Sequence, residues 1–205
     1  MKDIMDRYKN DKLMIISCLC FLFVISGVFG YVYEFIFYYF NGDMKCFYLQ
    51  GGNFLPWINI YAYGAMLILA LTYKFKDSPI KVFLISCISC GGLEYIAGFI
   101  LYYFCGGIRY WDYNVEKWNF LNIDGFFCLR SVVFFGISGV FLICIVIPLL
   151  LKLIDKIGRS AFIKLSLIIF SVVMFDEIYN LLLTKLFHTP TAYDVYTSLG
   201  FKYVS

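Results

Sequence analysis

The chain has few charged residues. Lys, Arg, Asp and Glu make up 15% of its 205 residues, whereas a soluble domain carries about 25%. Hydrophobic residues reach 62%, well above the roughly 45–50% of soluble domains. This composition excludes a disordered protein, a coiled coil and an ordinary water-soluble enzyme. It predicts an integral membrane protein.

Several chemical signatures are missing as well. The sequence has one histidine and no HExxH, GxSxG or Walker A motif, so it predicts no zinc peptidase, no common serine hydrolase and no P-loop. We therefore expect no metal site and no cofactor. The eight cysteines include a CxxC pattern at Cys87 and Cys90. We interpret these two as buried apolar residues, because an apolar helix disfavours the thiolate that redox and metal chemistry need.

Long apolar runs are what the sequence has in abundance. They predict an all-α, polytopic transmembrane bundle with about five spanning helices, which forms a single domain over residues 1–205. The predicted helices cover about 13–40, 55–73, 80–104, 127–153 and 161–187. A helix needs about 20 apolar residues to cross the hydrocarbon core. The runs lack the alternation of strands, so helices are the structure that satisfies their backbone groups in lipid.

The distribution of Lys and Arg predicts the orientation. Eleven of the 17 lie at the N-terminus and in the second and fourth predicted connections, and six lie on the other side. We expect the side with eleven to be cytoplasmic, so that the N-terminus is inside, the C-terminus is outside and the protein is in the cell membrane. The net charge of +3 then reflects topology, and no nucleic-acid partner is expected. Cys46 and Cys105 are both predicted outside, where they could pair.

Most charged residues lie in the predicted connections or at helix ends, but five do not sort in this way, and ionisable groups at membrane depth are costly and are candidates for function. The five are Glu34, Glu94, Arg130, Asp176 and Glu177. The predicted threading places all five in the outer half of the bilayer. It predicts one polar site that opens to the outside and is covered by the aromatic connection 105–124, with Arg130 as the partner of one or more carboxylates. The alternative is a buried Glu–Arg pair that only fixes helix register.

Five motifs in order resemble the ABC-transporter type IV (CmpB-like) permease family of multi-pass membrane proteins. They lie in residues 30–34, 56–64, 93–98, 109–113 and 125–136. Phe126, Val132 and Phe135 replace the family's Arg, Ser and Trp, so the polar lining of the fourth helix is thinner here. The family motifs include Glu34, Glu94 and Asp112. With neighbouring residues, they give the candidate substrate-binding set Glu34, Glu94, Tyr95, Trp111, Asp112 and Arg130.

The resemblance implies a permease component of a transport system. Without a P-loop of its own, such a chain needs a separate ATPase subunit, and five helices form a small pathway, so a homo-oligomer is also possible. Two alternatives stay open. One is a membrane-embedded enzyme acting on a lipid or lipid-linked substrate, in which Glu94 is the acid or base. The other is a non-catalytic structural or regulatory membrane subunit.

Overall fold

The structure is a computed structural model and describes residues 4–40, 53–107, 109 and 111–201. These residues are mostly helical, and no strand occurs among them. Three of the described helices are long and apolar enough to cross a membrane: α2 (Lys12–Phe40), α4 (Pro79–Phe104) and a continuous helix over Leu129–Ile157. The predicted all-α class and membrane-type helices are therefore confirmed. Cys46, which we predicted on the same side of the membrane as Cys105, is not among the described residues.

The continuous helix consists of α5 (Leu129–Phe141), a π-helical segment (Leu142–Val146) and α6 (Ile147–Ile157). The next long helix has the same construction: α7 (Arg159–Ile178), a second π-helical segment (Tyr179–Leu183) and α8 (Thr184–Phe187). The remaining helices are short. They are α1 (Ile4–Arg7), α3 (Asn59–Thr72) with a 3₁₀ turn at Tyr73–Phe75, and α9 (Ala192–Ser198).

Two helix boundaries differ from those predicted. The second predicted helix, 55–73, begins only at Asn59, because the amides of Phe54 and Leu55 donate hydrogen bonds to the Asp176 carboxylate instead. The 14 residues of α3 measure about 21 Å at 1.5 Å per residue. The fourth helix continues to Ile157 and stops at Gly158, whose φ of +82° lies in a region that favours glycine.

The chain folds into two compact units, Met1–Tyr63 with Leu151–Ser205 and Gly64–Leu150. In the first unit α2 packs against α7. Phe21 contacts Phe162 and Phe23 contacts Phe170, with ring centroids 5.5 and 5.6 Å apart. Gly27 allows the fully buried Trp57 to lie against α2, since an added Cβ would be 2.8 Å from its ring. Close helix packing through small residues is typical of membrane bundles.

In the second unit α4 packs along α5 through small residues on both helices. An added Cβ at Gly139 would lie 2.1 Å from the Ser86 hydroxyl oxygen, and one at Gly136 would lie 2.5 Å from the Cys87 sulfur. Cys87 and Cys90 are both buried free thiols in this unit. This packing brings the N-terminal end of α5 close to the middle of α4.

Candidate functional site

Glu94 on α4 is the centre of a hydrogen-bonded group in the second unit. Its Oε1 accepts a hydrogen bond from the Tyr113 hydroxyl at 2.5 Å, and its Oε2 accepts one from the Ser131 hydroxyl at 2.9 Å. Ser131 is in the first turn of α5 and Tyr113 is in the connection between α4 and α5. Both are 7% exposed. Glu94 therefore ties the two helices and their connection together.

Tyr113 is suited to be a permanent donor to this carboxylate. Burial and the adjacent Glu94 carboxylate raise the pKa of its phenol above the usual value, so the hydroxyl keeps its proton at neutral pH. The Arg130 guanidinium lies 5.5 Å from the centre of the same ring. Arg130 pairs with Glu116 and donates to the Lys117 carbonyl at 3.1 Å. We predicted that Arg130 pairs with one or more of the acids inside the helices; the carboxylate of this ion pair belongs instead to Glu116 in the connection.

Asp112 and Trp111 stabilise the fold of this connection. Asp112 Oδ1 accepts hydrogen bonds from the backbone and side-chain nitrogens of Asn114, at 3.0 and 2.8 Å. It also lies 3.3 Å from Arg109 Nη1. Trp111 Nε1 donates to the Phe126 carbonyl at 3.2 Å. These contacts are those of a folded connection held against its own unit.

The structure therefore brings five of the six predicted site residues into one unit: Glu94, Tyr95, Trp111, Asp112 and Arg130. Tyr95 contacts Phe126 edge to face, with centroids 6.2 Å apart. Glu34 is half-buried on α2 and belongs to the first unit, as do Asp176 and Glu177. Whether the six form a solute site stays a prediction.

Asp176 holds the residues that precede α3. It is 5% exposed. Its Oδ1 accepts a hydrogen bond from the Phe54 amide at 2.9 Å, and its Oδ2 accepts one from the Leu55 amide at 2.8 Å. Asn180, one helical turn later, donates to Oδ1 at 2.9 Å. The carboxylate thus replaces the helical hydrogen bonds that residues 54 and 55 lack.

Glu177 is equally buried, at 5% exposed, and its partners are two asparagine side chains. Asn59 Nδ2 donates to Oε1 at 2.6 Å, and Asn53 Nδ2 donates to Oε2 at 3.3 Å. Beside this carboxylate lies a cavity of about 260 Å³ within the first unit. Its lining residues are Asn53, Asn59, Glu177, Asn180, Leu181, Thr191 and Tyr193. Six of these seven residues have polar side chains, and the cavity is half open with the buried acid in its wall.

The far wall of the cavity is built by α9 and the turn before it. Thr191 caps α9, with reciprocal hydrogen bonds to Asp194. Asn180 Oδ1 accepts a hydrogen bond from the Ala192 amide at 2.8 Å. The Tyr196 hydroxyl donates to the Phe54 carbonyl at 3.0 Å. Asn180 lies in the second π-helical segment, and such segments are frequent at functional sites.

Sequence reasoning singled out the two acids of this cluster but missed their partners. Asn180 could have been found, because it lies one helical turn after Asp176, where side chains are neighbours. Asn53 and Asn59 carry no comparable signal, since Asn53 precedes α3, Asn59 begins it, and both are far from the acids in sequence. In the described residues no group of three or more His, Cys, Asp and Glu could hold a metal ion.

Comparison with family models gives one match, over residues 21–181, to the family described as "Putative ABC-transporter type IV" (CmpB). This match spans more than three quarters of the chain. The chain belongs to this family. No curated protein and no solved structure gives a significant match. The family match includes Asn53, Asn59, Glu177 and Asn180 and ends before Thr191. It confirms the resemblance inferred from the motifs.

Proposed function

We propose that this member of the ABC-transporter type IV family is the permease component of a transport system in the cell membrane. Family membership and three helices long and apolar enough to cross a membrane support this proposal. The chain has no Walker A motif, so we propose that a separate subunit supplies ATP hydrolysis. A homo-oligomer would enlarge the pathway that so few helices can form.

We further propose five crossings with the N-terminus in the cytoplasm, within a single transmembrane domain. The excess of Lys and Arg on one predicted side supports this orientation. Two of the five segments are less apolar or shorter than the others. α3 has only 14 residues, and α7 carries Lys164, Asp176 and Glu177. Asp176 holds the residues before α3 and Glu177 borders a cavity, so each acid of α7 has its own role in this proposal.

The solute site that the geometry supports best is the cavity beside Glu177. The single observation that carries this assignment is a buried carboxylate in the wall of a cavity, where its donors among the described residues are neutral amides. By contrast, Glu94, Trp111, Asp112 and Arg130 each have partners within the α4–α5 connection. We therefore propose that the Glu94 group holds the connection in place.

The test is to purify the tagged chain from its native membrane in detergent and to identify its partners. We expect a P-loop ATPase to co-purify, and we expect ATP hydrolysis by this complex in nanodiscs to depend on the chain. Membrane vesicles with and without the chain should then differ in their accumulation of at least one solute. Identical solute profiles in the two vesicle preparations would contradict a transport function.

Glu94→Gln tests the alternative that the protein is an enzyme acting on a lipid or lipid-linked substrate, with Glu94 as its acid or base. If Glu94 serves only to hold the connection, the lipid composition of cells carrying this variant should equal that of the wild type. Loss of one lipid species and accumulation of its precursor would instead indicate an enzyme, and the permease proposal would be withdrawn.

A further inference from the structure

We propose that the cavity beside Glu177 binds a small organic cation through a primary ammonium group. This inference rests on the proposed function, because it names the substrate class of the proposed solute site. The volume of about 260 Å³ lies below the roughly 300–1,000 Å³ of pockets for drug-sized ligands. A cavity of this volume suits a small solute.

The charge balance of the cavity favours a cation. Glu177 is the one charged residue among the seven described lining residues, which include no Lys, Arg or His. The Glu177 carboxylate lies at the N-terminus of α3, since Asn59 is its first residue. A helix N-terminus supplies only about half a positive charge, so the wall formed by the described residues keeps a net negative charge. An uncompensated buried charge is expensive, and a bound cation would reduce that cost.

The arrangement of acceptors favours an ammonium group over a bare metal ion. A carboxylate offers about four lone-pair sites, and the two asparagines occupy two of those on Glu177. Because Asn53 and Asn59 both use their amide nitrogens here, their carbonyl oxygens remain available as acceptors. A primary ammonium group has three donors and no acceptor, as in lysine, which matches this set. Tyr193 adds an aromatic ring, and such rings attract ammonium groups.

A carboxylate ligand would meet the opposite conditions. Its negative charge would face Glu177, and no cationic side chain among the described lining residues would offset the repulsion. Asn180 cannot turn its amide nitrogen toward a bound carboxylate, because that nitrogen donates to Asp176 and the amide oxygen accepts from Ala192. The cavity therefore discriminates by the sign of the charge.

The experiment is isothermal titration calorimetry on the full chain purified into nanodiscs. The probes are methylammonium and butylammonium, with acetate and acetamide as the anionic and neutral controls of similar size. We expect saturable binding of at least one ammonium probe and none of acetate or acetamide. Glu177→Gln should weaken that binding at least tenfold. Asp77→Asn, a carboxylate-to-amide change at an exposed residue of the second unit, should leave the affinity unchanged.

A second variant keeps the test valid if Glu177→Gln unfolds. Leu181 lines the cavity and is 52% exposed, so Leu181→Trp should fill the cavity without disturbing the core, and it should also weaken binding at least tenfold. Absence of ammonium binding, binding of sodium or potassium instead, or equal affinity in Leu181→Trp would each overturn the inference.

If the vesicles described above transport a different solute while ammonium probes fail to bind, this inference alone is wrong. If the probes bind but nothing is transported, the proposed function is wrong.

Discussion

At the scale of single residues, the neighbouring acids Asp176 and Glu177 on α7 have different roles. Asp176 accepts hydrogen bonds from the backbone amides of Phe54 and Leu55, which have no helical acceptors. Glu177 borders a cavity, and its hydrogen-bond donors among the described residues are side chains. Adjacent residues on a helix point in different directions, yet both carboxylates reach the same segment because it bends around them. The first acid is therefore structural, and the second is available to a ligand.

Asp176→Asn should destabilise the protein by about 1–3 kcal/mol, the cost of leaving a buried donor without an acceptor. The amide keeps one acceptor oxygen, so one of the two backbone amides loses its partner. The measurement is the thermal unfolding midpoint in nanodiscs. Asp77→Asn is the control, because Asp77 is exposed, and it should leave the midpoint unchanged. Equal midpoints for Asp176→Asn and the wild type would show that residues 54 and 55 do not depend on this carboxylate.

Gly30 on α2 is required for close packing against Tyr61. An added Cβ at Gly30 would lie 2.2 Å from Tyr61 Cγ and 2.6 Å from its Cβ. These atoms are near the backbone and cannot swing away, so Gly30→Ala should cost about 1–3 kcal/mol, as overpacking does. Gly92 on α4 has nothing within 4 Å of the added Cβ, and Gly92→Ala should be neutral or stabilise by up to about 1 kcal/mol. Thermal unfolding of both variants checks this contrast, which would be refuted if they shifted the midpoint alike.

At the scale of elements, the connection between α4 and α5 is anchored through Tyr113. The hydroxyl of Tyr113 donates to Glu94, and Arg130 lies over its ring. Hydrogen bonds to charged groups contribute about 1.5–3 kcal/mol. The connection should therefore open locally when this bond is removed, while the helices stay formed.

Tyr113→Phe should increase amide hydrogen exchange in residues 111–128 and lower the unfolding midpoint. Its effect should depend on pH. The pKa of Tyr113 is raised in the folded state by burial and by Glu94, so its contribution is complete below the ordinary phenol pKa of about 10. The contribution falls as pH rises through the folded pKa. The difference in midpoint between wild type and variant should thus narrow above about pH 10.

Tyr103→Phe is the control for this prediction, since Tyr103 is 59% exposed. It should alter neither the exchange of residues 111–128 nor the midpoint. A midpoint difference for Tyr113→Phe that closed well below about pH 10 would show that the group which titrates is not this phenol.

At the scale of the whole molecule, five motifs indicated the family, whereas composition and apolar runs predicted the helices. Composition and apolar runs were sufficient because a backbone in lipid must satisfy its own hydrogen bonds, which an apolar run does by forming a helix. The partners of the charged residues were not predictable in this way. Arg130 pairs with Glu116, and Glu177 binds Asn53 and Asn59. These partners lie in connections or at helix starts, where no period relates sequence position to spatial position.

The proposed orientation across the membrane can be tested with residues near the two ends of one helix. Leu129–Ile157 is long and apolar enough to cross, so residues on either side of it should lie in different compartments. Val115 is 83% exposed before it, and Lys156 is exposed near its end. In a chain with Cys46, Cys105 and Cys144 replaced by serine, Val115→Cys should react with an impermeant maleimide on intact cells. Lys156→Cys should react only after permeabilisation.

The pattern of labelling separates orientation from crossing. The proposed arrangement requires Val115 outside and Lys156 inside, because the excess of Lys and Arg marks the side of Lys156 as cytoplasmic. The reverse pattern would keep the crossing and invert the topology, and it would make the cytoplasmic N-terminus wrong as well. Labelling of both positions from outside would mean that Leu129–Ile157 does not cross the membrane. This result would also contradict the five-helix arrangement.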